Sequence, residues 1–261
     1  MPRPRVYQTQ VVVLKRQDHG EADRLITFYT PHLGKLRAIA KGVRKPTSRM
    51  AGHLELFTQA RVFVAYGRNL DIVTQAETVE SFRALRDDLV RTGHAFYVAE
   101  LVDRLTEEHA ENEPVFDLLV RTLTRIGDAR DPQMPVRFFE MQLLDFLGYR
   151  PELVTCLHCH EELPAMMNYF SVSAGGTLCA QCGRRDSVAR PLPVTTLKVL
   201  RLLQRGDYVT GARLRLDEQL EAEVEAILQA YLIHVLERPP RSVRYLRELR
   251  ADAVAYAPRP V

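Results

Sequence analysis

All four cysteines of the chain fall in one short window, as Cys156-Leu157-His158-Cys159 and Cys179-Ala180-Gln181-Cys182. Two C-x2-C knuckles at this separation close tetrahedrally on one Zn²⁺, with Cys156, Cys159, Cys179 and Cys182 as thiolate ligands at about 2.3 Å. Gly183 follows the last cysteine and permits the tight turn that brings backbone amides toward the sulfurs. Between the knuckles, Tyr169–Val172 and Gly175–Leu178 read as a hairpin, so the window predicts a zinc ribbon. A thioredoxin-like redox pair is disfavoured, because there are two pairs and neither opens a helix after a parallel strand. His158 and His160 are read as bystanders. Four protein ligands leave no open coordination position, so a single Zn²⁺ here is expected to be structural.

The ribbon interrupts a chain whose hydrophobic period changes along its length. Gln8–Arg16, Arg24–Thr30, Lys35–Lys41, Leu54–Tyr66 and Asp71–Val79 are β-like runs separated by turn formers. Five strands at this spacing, with no helical period between them, predict a small barrel or sandwich. In the third strand, alternation puts Leu36, Ala38 and Ala40 on one face and Lys35, Arg37, Ile39 and Lys41 on the other. After Ser81 the period becomes helical. Ala95, Val98, Ala99 and Val102 form one stripe, and Val115, Leu118, Leu119 and Ile126 form another behind Pro114. Asp131-Pro132 precedes a helix carrying Phe139, Leu143, Phe146 and Leu147, which Gly148 ends. Helical spacing resumes at Thr195–Gln204, at Leu220 to Val235, and around Ser242–Leu249. The expected organisation is a β-domain at 1–80, a helical domain at 81–150 and 191–250, a zinc-ribbon insertion at 151–190, and a flexible tail at 251–261.

Hydrophobic residues make up 46% of the chain, enough for buried cores. No apolar run reaches the roughly 20 residues of a membrane span. The apolar stretch Val11–Leu14 is too short for a secretory signal. The expectation is a cytoplasmic protein, which also disfavours disulfides. The net charge is only +3, yet residues 1–49 hold eleven cations against three anions. Such a one-ended field points to an anionic polymer, nucleic acid before membrane.

Signs of an enzyme are absent from the sequence. There is no G-x-x-x-x-G-K-[ST] phosphate loop. Asp87, Asp88, Asp103, Glu107, Glu108 and Glu111 have the composition of a Mg²⁺-holding cluster, but on a helix they read as a solvated face. The histidines are scattered and lack a nucleophile partner. A metal-dependent nuclease is the enzyme alternative, and a zinc-ribbon transcription or RNA-associated factor is the binding-module alternative.

Residues 20–57 contain Gly20-Glu21-Ala22-Asp23-Arg24-Leu25-Ile26-Thr27, Thr30, Gly34-Lys35, Ala40-Lys41-Gly42-Val43-Arg44-Lys45, Ser48-Arg49, Gly52, Leu54 and Phe57. This register resembles the amino-terminal signature of the RecO family. The resemblance extends through the helical region and its knuckles to Arg241-Ser242 and Tyr245–Leu249. It implies an OB-fold β-barrel followed by a mainly helical domain interrupted by a zinc ribbon. It also implies a nucleoid-associated recombination mediator that is not an enzyme. Such a protein binds single- and double-stranded DNA, anneals complementary strands, and acts with RecR and the single-stranded DNA-binding protein to let RecA load.

The basic residues Arg16, Arg24, Lys35, Arg37, Lys41, Arg44, Lys45 and Arg49 are then the expected DNA contacts. Arg121, Arg125 and Arg137 are the expected contacts for the acidic tail of the single-stranded DNA-binding protein. OB-folds commonly stack bases on aromatics. Of the aromatics available here, Phe28, Tyr29, Phe57, Phe63 and Tyr66, most are expected in the core, so recognition is expected to rest on phosphate.

Overall fold

The structure, a computed structural model, describes residues 6–255. Arg3, Arg5 and the last part of the expected tail, from residue 256, lie outside the described residues. The strands are β1 (Val6–His19), β2 (Asp23–Thr30), β3 (Gly34–Ala40), β4 (Gln59–Ala65) and β5 (Asp71–Glu80). Then come the helices α1 (Arg83–Arg86), α2 (Leu89–Leu105), α3 (Glu113–Asp128) and α4 (Gln133–Phe146). The cysteine region adds β6 (Asn168–Ser171), β7 (Gly176–Leu178), α5 (Ala180–Gly183) and β8 (Arg190–Leu192). The chain continues with α6 (Val194–Gln204), α7 (Tyr208–Ala212), α8 (Glu218–Leu236) and α9 (Arg241–Ala255).

Two compact units result. Among the described residues, one comprises 6–130 and 241–255, the other 131–240. The helices expected to form one domain are thus divided. The reason is long-range packing that no local pattern reports: α9 returns to α2, whereas α4 packs with α6, α7 and α8.

In the first unit the five strands close into a barrel in the order β1-β2-β3-β5-β4. Closure comes from antiparallel β1–β4 pairing, and β3 joins β5 in parallel over Ala38–Ala40 and Asp71–Val73. The alternation read in β3 holds: Leu36, Ala38 and Ala40 line the core with Val11, Val13, Ile26, Phe28, Val62 and Val64. Val12 and Leu14 are buried as well, because α2 packs on the outside of β1. Four consecutive buried residues are what a strand covered on both faces requires. The stretch before β4 departs from the expected strand. Ala51–Leu54 is a short 3-10 turn, and Phe57 adopts φ +67° to press its ring edge-on against Phe96 of α2, 5.0 Å between centroids.

Helix α2 organises the rest of this unit. Asp88 caps it, accepting from Arg91 N–H at 2.9 Å. The Arg91 guanidinium donates to the terminal carbonyls of α3, at Ile126, at Gly127 (2.9 Å) and at Ala129 (2.8 Å). Glu100 accepts from the first amides of α9, Arg241 N–H at 2.8 Å and Ser242 N–H at 2.9 Å, and from Ser242 Oγ at 2.6 Å. Gly93 sits where α9 crosses, since a Cβ there would lie 2.8 Å from Leu246 Cδ2. Val243 and Leu246 are buried at this contact, at about 1.5–3 kcal/mol for each apolar side chain. Helix α9 runs to Ala255, past the start of the expected tail, because Ala-Asp-Ala-Val-Ala contains no helix breaker.

In the second unit α4, α6 and α8 bury Phe139, Leu143, Leu197, Leu200, Val224 and Leu228. Strands β7-β6-β8 form a small sheet beside them, and the hairpin expected between the knuckles is the β6–β7 pair. No helix among the described residues is long and apolar enough to cross a membrane.

Candidate functional site

The cations of the barrel divide into a neutralised set and an open set. Arg16 is mostly buried and lies 2.6 Å from Glu55, and Arg24 lies 3.1 Å from Asp18. Lys35, expected to face solvent, has only 12% of its side chain exposed. It donates to the carbonyl of Asp103 and lies 3.5 Å from the carboxylate of that residue. Arg37 is half exposed and sits 2.9 Å from Glu108. Two carboxylates read from sequence as a solvated face therefore cover both cations that β3 carries. The segment after α2 reinforces this, as His109 N–H donates to Lys35 O at 2.9 Å.

Beyond β3 the chain opens into an exposed basic loop. Lys41, Arg44, Lys45 and Arg49 are all exposed. Lys41, Lys45 and Arg49 form no ion pair among the described residues, and Arg44 reaches Asp18 at 3.4 Å. The loop is pinned to the β1–β2 turn. Gly42, at φ +64°, donates its N–H to Asp23 Oδ1 at 2.7 Å, and Arg44 N–H donates to Ala22 O at 2.9 Å. A fixed backbone carrying exposed cations suits contact with phosphates, which the Arg fork and the Lys point charge engage differently.

Of the five aromatics, Phe28, Tyr29 and Phe57 are buried, whereas Phe63 and Tyr66 are exposed, Tyr66 at 57%. Tyr66 stacks at a tilt on Tyr7, with centroids 4.9 Å apart. Tyr7 donates its hydroxyl to Asp71 Oδ2 at 2.8 Å. Burial, and then the Asp71 carboxylate, push the Tyr7 hydroxyl well above the ordinary phenol range, so it stays a donor at all working pH.

In the second unit Cys156, Cys159, Cys179 and Cys182 converge, their sulfurs all within 4.8 Å of one another. Cys159 Sγ and Cys179 Sγ are 3.9 Å apart. A tetrahedral site with bonds of about 2.3 Å sets its corners roughly 3.8 Å apart, so the group fits a thiolate-bound metal ion. Burial opposes ionisation of Cys156, but the amides of Cys159, Cys179 and His158 outweigh it and bring the thiol down to about 6. Burial, and then its sulfur neighbours, push Cys182 up to about 12. Without a cation one thiolate forms at the expense of the others, and a divalent ion relieves that conflict. His158 Nδ1 lies 3.7 Å from Cys182 Sγ, beside the cluster.

The three arginines expected to catch an acidic tail are divided between the two units. Arg121 and Arg125 lie on α3, in the first unit. Arg121 is exposed and 3.7 Å from Asp117. Arg137 belongs to the second unit, is only 2% exposed, and pairs with Glu140 at 2.9 Å and Glu225 at 3.6 Å. Its charge is consumed internally, which removes it from any surface.

Against known families, residues 4–82 match the description "Recombination protein O N terminal" and residues 86–244 match "Recombination protein O C terminal". The chain belongs to the RecO family. A "DNA repair protein RecO" from Roseiflexus sp. (strain RS-1) is 46% identical over 248 residues, 95% of this chain and 87% of that protein. The protein of the same description from Dehalococcoides mccartyi is 36% identical over 250 residues, 96% and 98% of the two chains. Another, from Pelotomaculum thermopropionicum, is 38% identical over 244 residues, 93% and 94%. The two RecO matches meet where β5 gives way to α1. Sequence reasoning missed Tyr66 as an exposed group in this RecO chain. The available signal was its place beside Gly67-Arg68-Asn69, a turn between two strands.

Proposed function

We propose that this chain is a DNA-binding recombination mediator of DNA repair, with the barrel an OB-fold and the Lys41–Arg49 loop its phosphate-binding element. The observation that carries the reading is the exposed quartet Lys41, Arg44, Lys45 and Arg49 on a backbone tied to the β1–β2 turn. Phosphate-directed contact gives affinity without sequence preference, as befits a protein that serves any gap or strand. Arg37 joins the track by exchanging Glu108 for a phosphate, since an exposed ion pair is worth only about 0–1 kcal/mol. Arg16, Arg24 and Lys35 contribute to the field around the site.

The names of the relatives support a role in DNA repair. Annealing of complementary strands belongs to the same reading. RecA loading onto strands coated by the single-stranded DNA-binding protein, together with RecR, completes the reading. Arg121 and Arg125 are the remaining cations for the acidic tail of the coating protein. The cysteine cluster holds one structural Zn²⁺ in a ribbon, where it fixes the two knuckles and performs no chemistry. The site of action is the cytoplasmic nucleoid.

The test is annealing of complementary labelled oligonucleotides, bare and coated. Acceleration of pairing supports the reading. Binding without annealing points to a transcription or RNA-associated factor, and strand cleavage with Mg²⁺ or Mn²⁺ points to a nuclease.

A further inference from the structure

The loop joining β4 to β5 carries Tyr66, Arg68 and Asn69, all exposed. An aromatic ring left more than half in solvent at a strand end contributes little to a core, yet this one is held in place. Tyr7 stacks against it at 4.9 Å, and Tyr7 is itself anchored through its hydroxyl to Asp71 Oδ2 at 2.8 Å. The other oxygen of Asp71 accepts from Gly67 N–H at 3.2 Å, so one carboxylate fixes both the supporting ring and the loop backbone. A ring fixed before binding loses little entropy when something stacks on it.

The topology says what that is. Because β3 and β5 are parallel with Ala38 opposite Asp71, the β4–β5 loop enters β5 beside the middle of β3, next to Arg37. The Lys41–Arg49 loop leaves from the carboxy-terminal end of β3. The three residues from Ala38 to Lys41 rise about 10 Å along a strand. Cations therefore stand near the entry of the β4–β5 loop on β3 and beyond it, with exposed Arg68 in the same loop as Tyr66. In barrels of this class the β4–β5 loop borders the nucleic-acid face.

We infer that Tyr66 is a base-stacking platform for single-stranded DNA, in the β4–β5 loop that enters the sheet beside β3, with Tyr7 and Asp71 positioning it. The inference rests on the DNA-binding reading above and adds a base contact to a site otherwise made of phosphate contacts. It gives the protein a preference for unpaired bases, whose faces are open, over the stacked bases of a duplex.

The chain contains no tryptophan, so Tyr66→Trp installs a single reporter at the platform. Titration of the full chain with an oligonucleotide quenches that fluorescence, and an abasic strand of equal length, which keeps the phosphates, does not. In parallel, Tyr66→Ala weakens single-strand binding roughly 5- to 150-fold, the range covered by one stacked base. Tyr66→Phe retains binding, and the salt slope stays that of the parent, because no phosphate contact is lost. Equal quenching by both strands, or unchanged affinity of Tyr66→Ala in a parent that binds DNA, overturns the inference alone and leaves the ring to a protein partner. A parent with no salt-dependent DNA binding overturns the functional reading as well.

Discussion

Arg137 and Glu140, one helical turn apart on α4, face each other at 2.9 Å with side chains 2% and 0% exposed. A pair so far from water is held by its own charges and by Glu225 at 3.6 Å from α8. Removing Glu140 takes the closer carboxylate from the buried Arg137 and leaves the longer contact to Glu225. Glu140→Ala is therefore expected to destabilise the second unit by about 3–5 kcal/mol, whereas replacing both by apolar residues of similar size costs much less. Denaturant unfolding followed through residues 131–240 checks this, and a loss below about 1 kcal/mol for the single variant would show that the pair is not buried as described.

Glu100 makes a separate prediction. It accepts from both first amides of α9 and from Ser242 Oγ, so it acts as the cap of a helix otherwise held by Val243 and Leu246. Glu100→Ala is expected to cost about 1–2 kcal/mol, expressed locally. Hydrogen exchange should quicken over residues 241–249 and stay unchanged in α6 and α8. Uniform quickening across both units would contradict the assignment.

The cysteines give a third. Purified under reducing conditions, the protein is expected to carry about one zinc per chain, and Cys159→Ser or Cys179→Ser to lower that content sharply. Chelation should loosen residues 151–192 and leave the barrel intact, since the barrel buries its own core. Zinc near zero in a folded, reduced sample would remove the metal centre. Loading also releases protons as thiols become thiolates, so metal affinity should fall as pH drops.

What was legible in the sequence follows from how local each signal is. The alternation of β3 reported its buried face, because a strand's side chains alternate whatever lies beyond it. The cysteine spacing reported the convergence of the four thiols, because two C-x2-C knuckles in one window have few other uses. The stripes of α2 and α3 reported their buried faces in the same way. The partners of Lys35 and Arg37 were not legible. Asp103 and Glu108 lie about seventy residues away, and only the packing of α2 on the barrel brings them there. Arg137 looked like a surface cation beside an apolar stripe, and its burial depends on Glu225 from a distant helix. The split into two units was hidden for the same reason, since α9 resembles any other amphipathic helix until Gly93 and Glu100 are seen to receive it.

The central claim is that the Lys41–Arg49 loop holds DNA by its phosphates, and the salt dependence of single-strand binding tests it most directly. For a single strand, the slope of log affinity against log salt changes by about 0.7 for each phosphate neutralised. Replacing Lys41, Arg44, Lys45 and Arg49 together with Ala is expected to flatten the slope by roughly 2 to 3 and to weaken binding to all sequences alike. A folded quadruple variant whose slope equals that of the parent would contradict the account and move the DNA site off this loop.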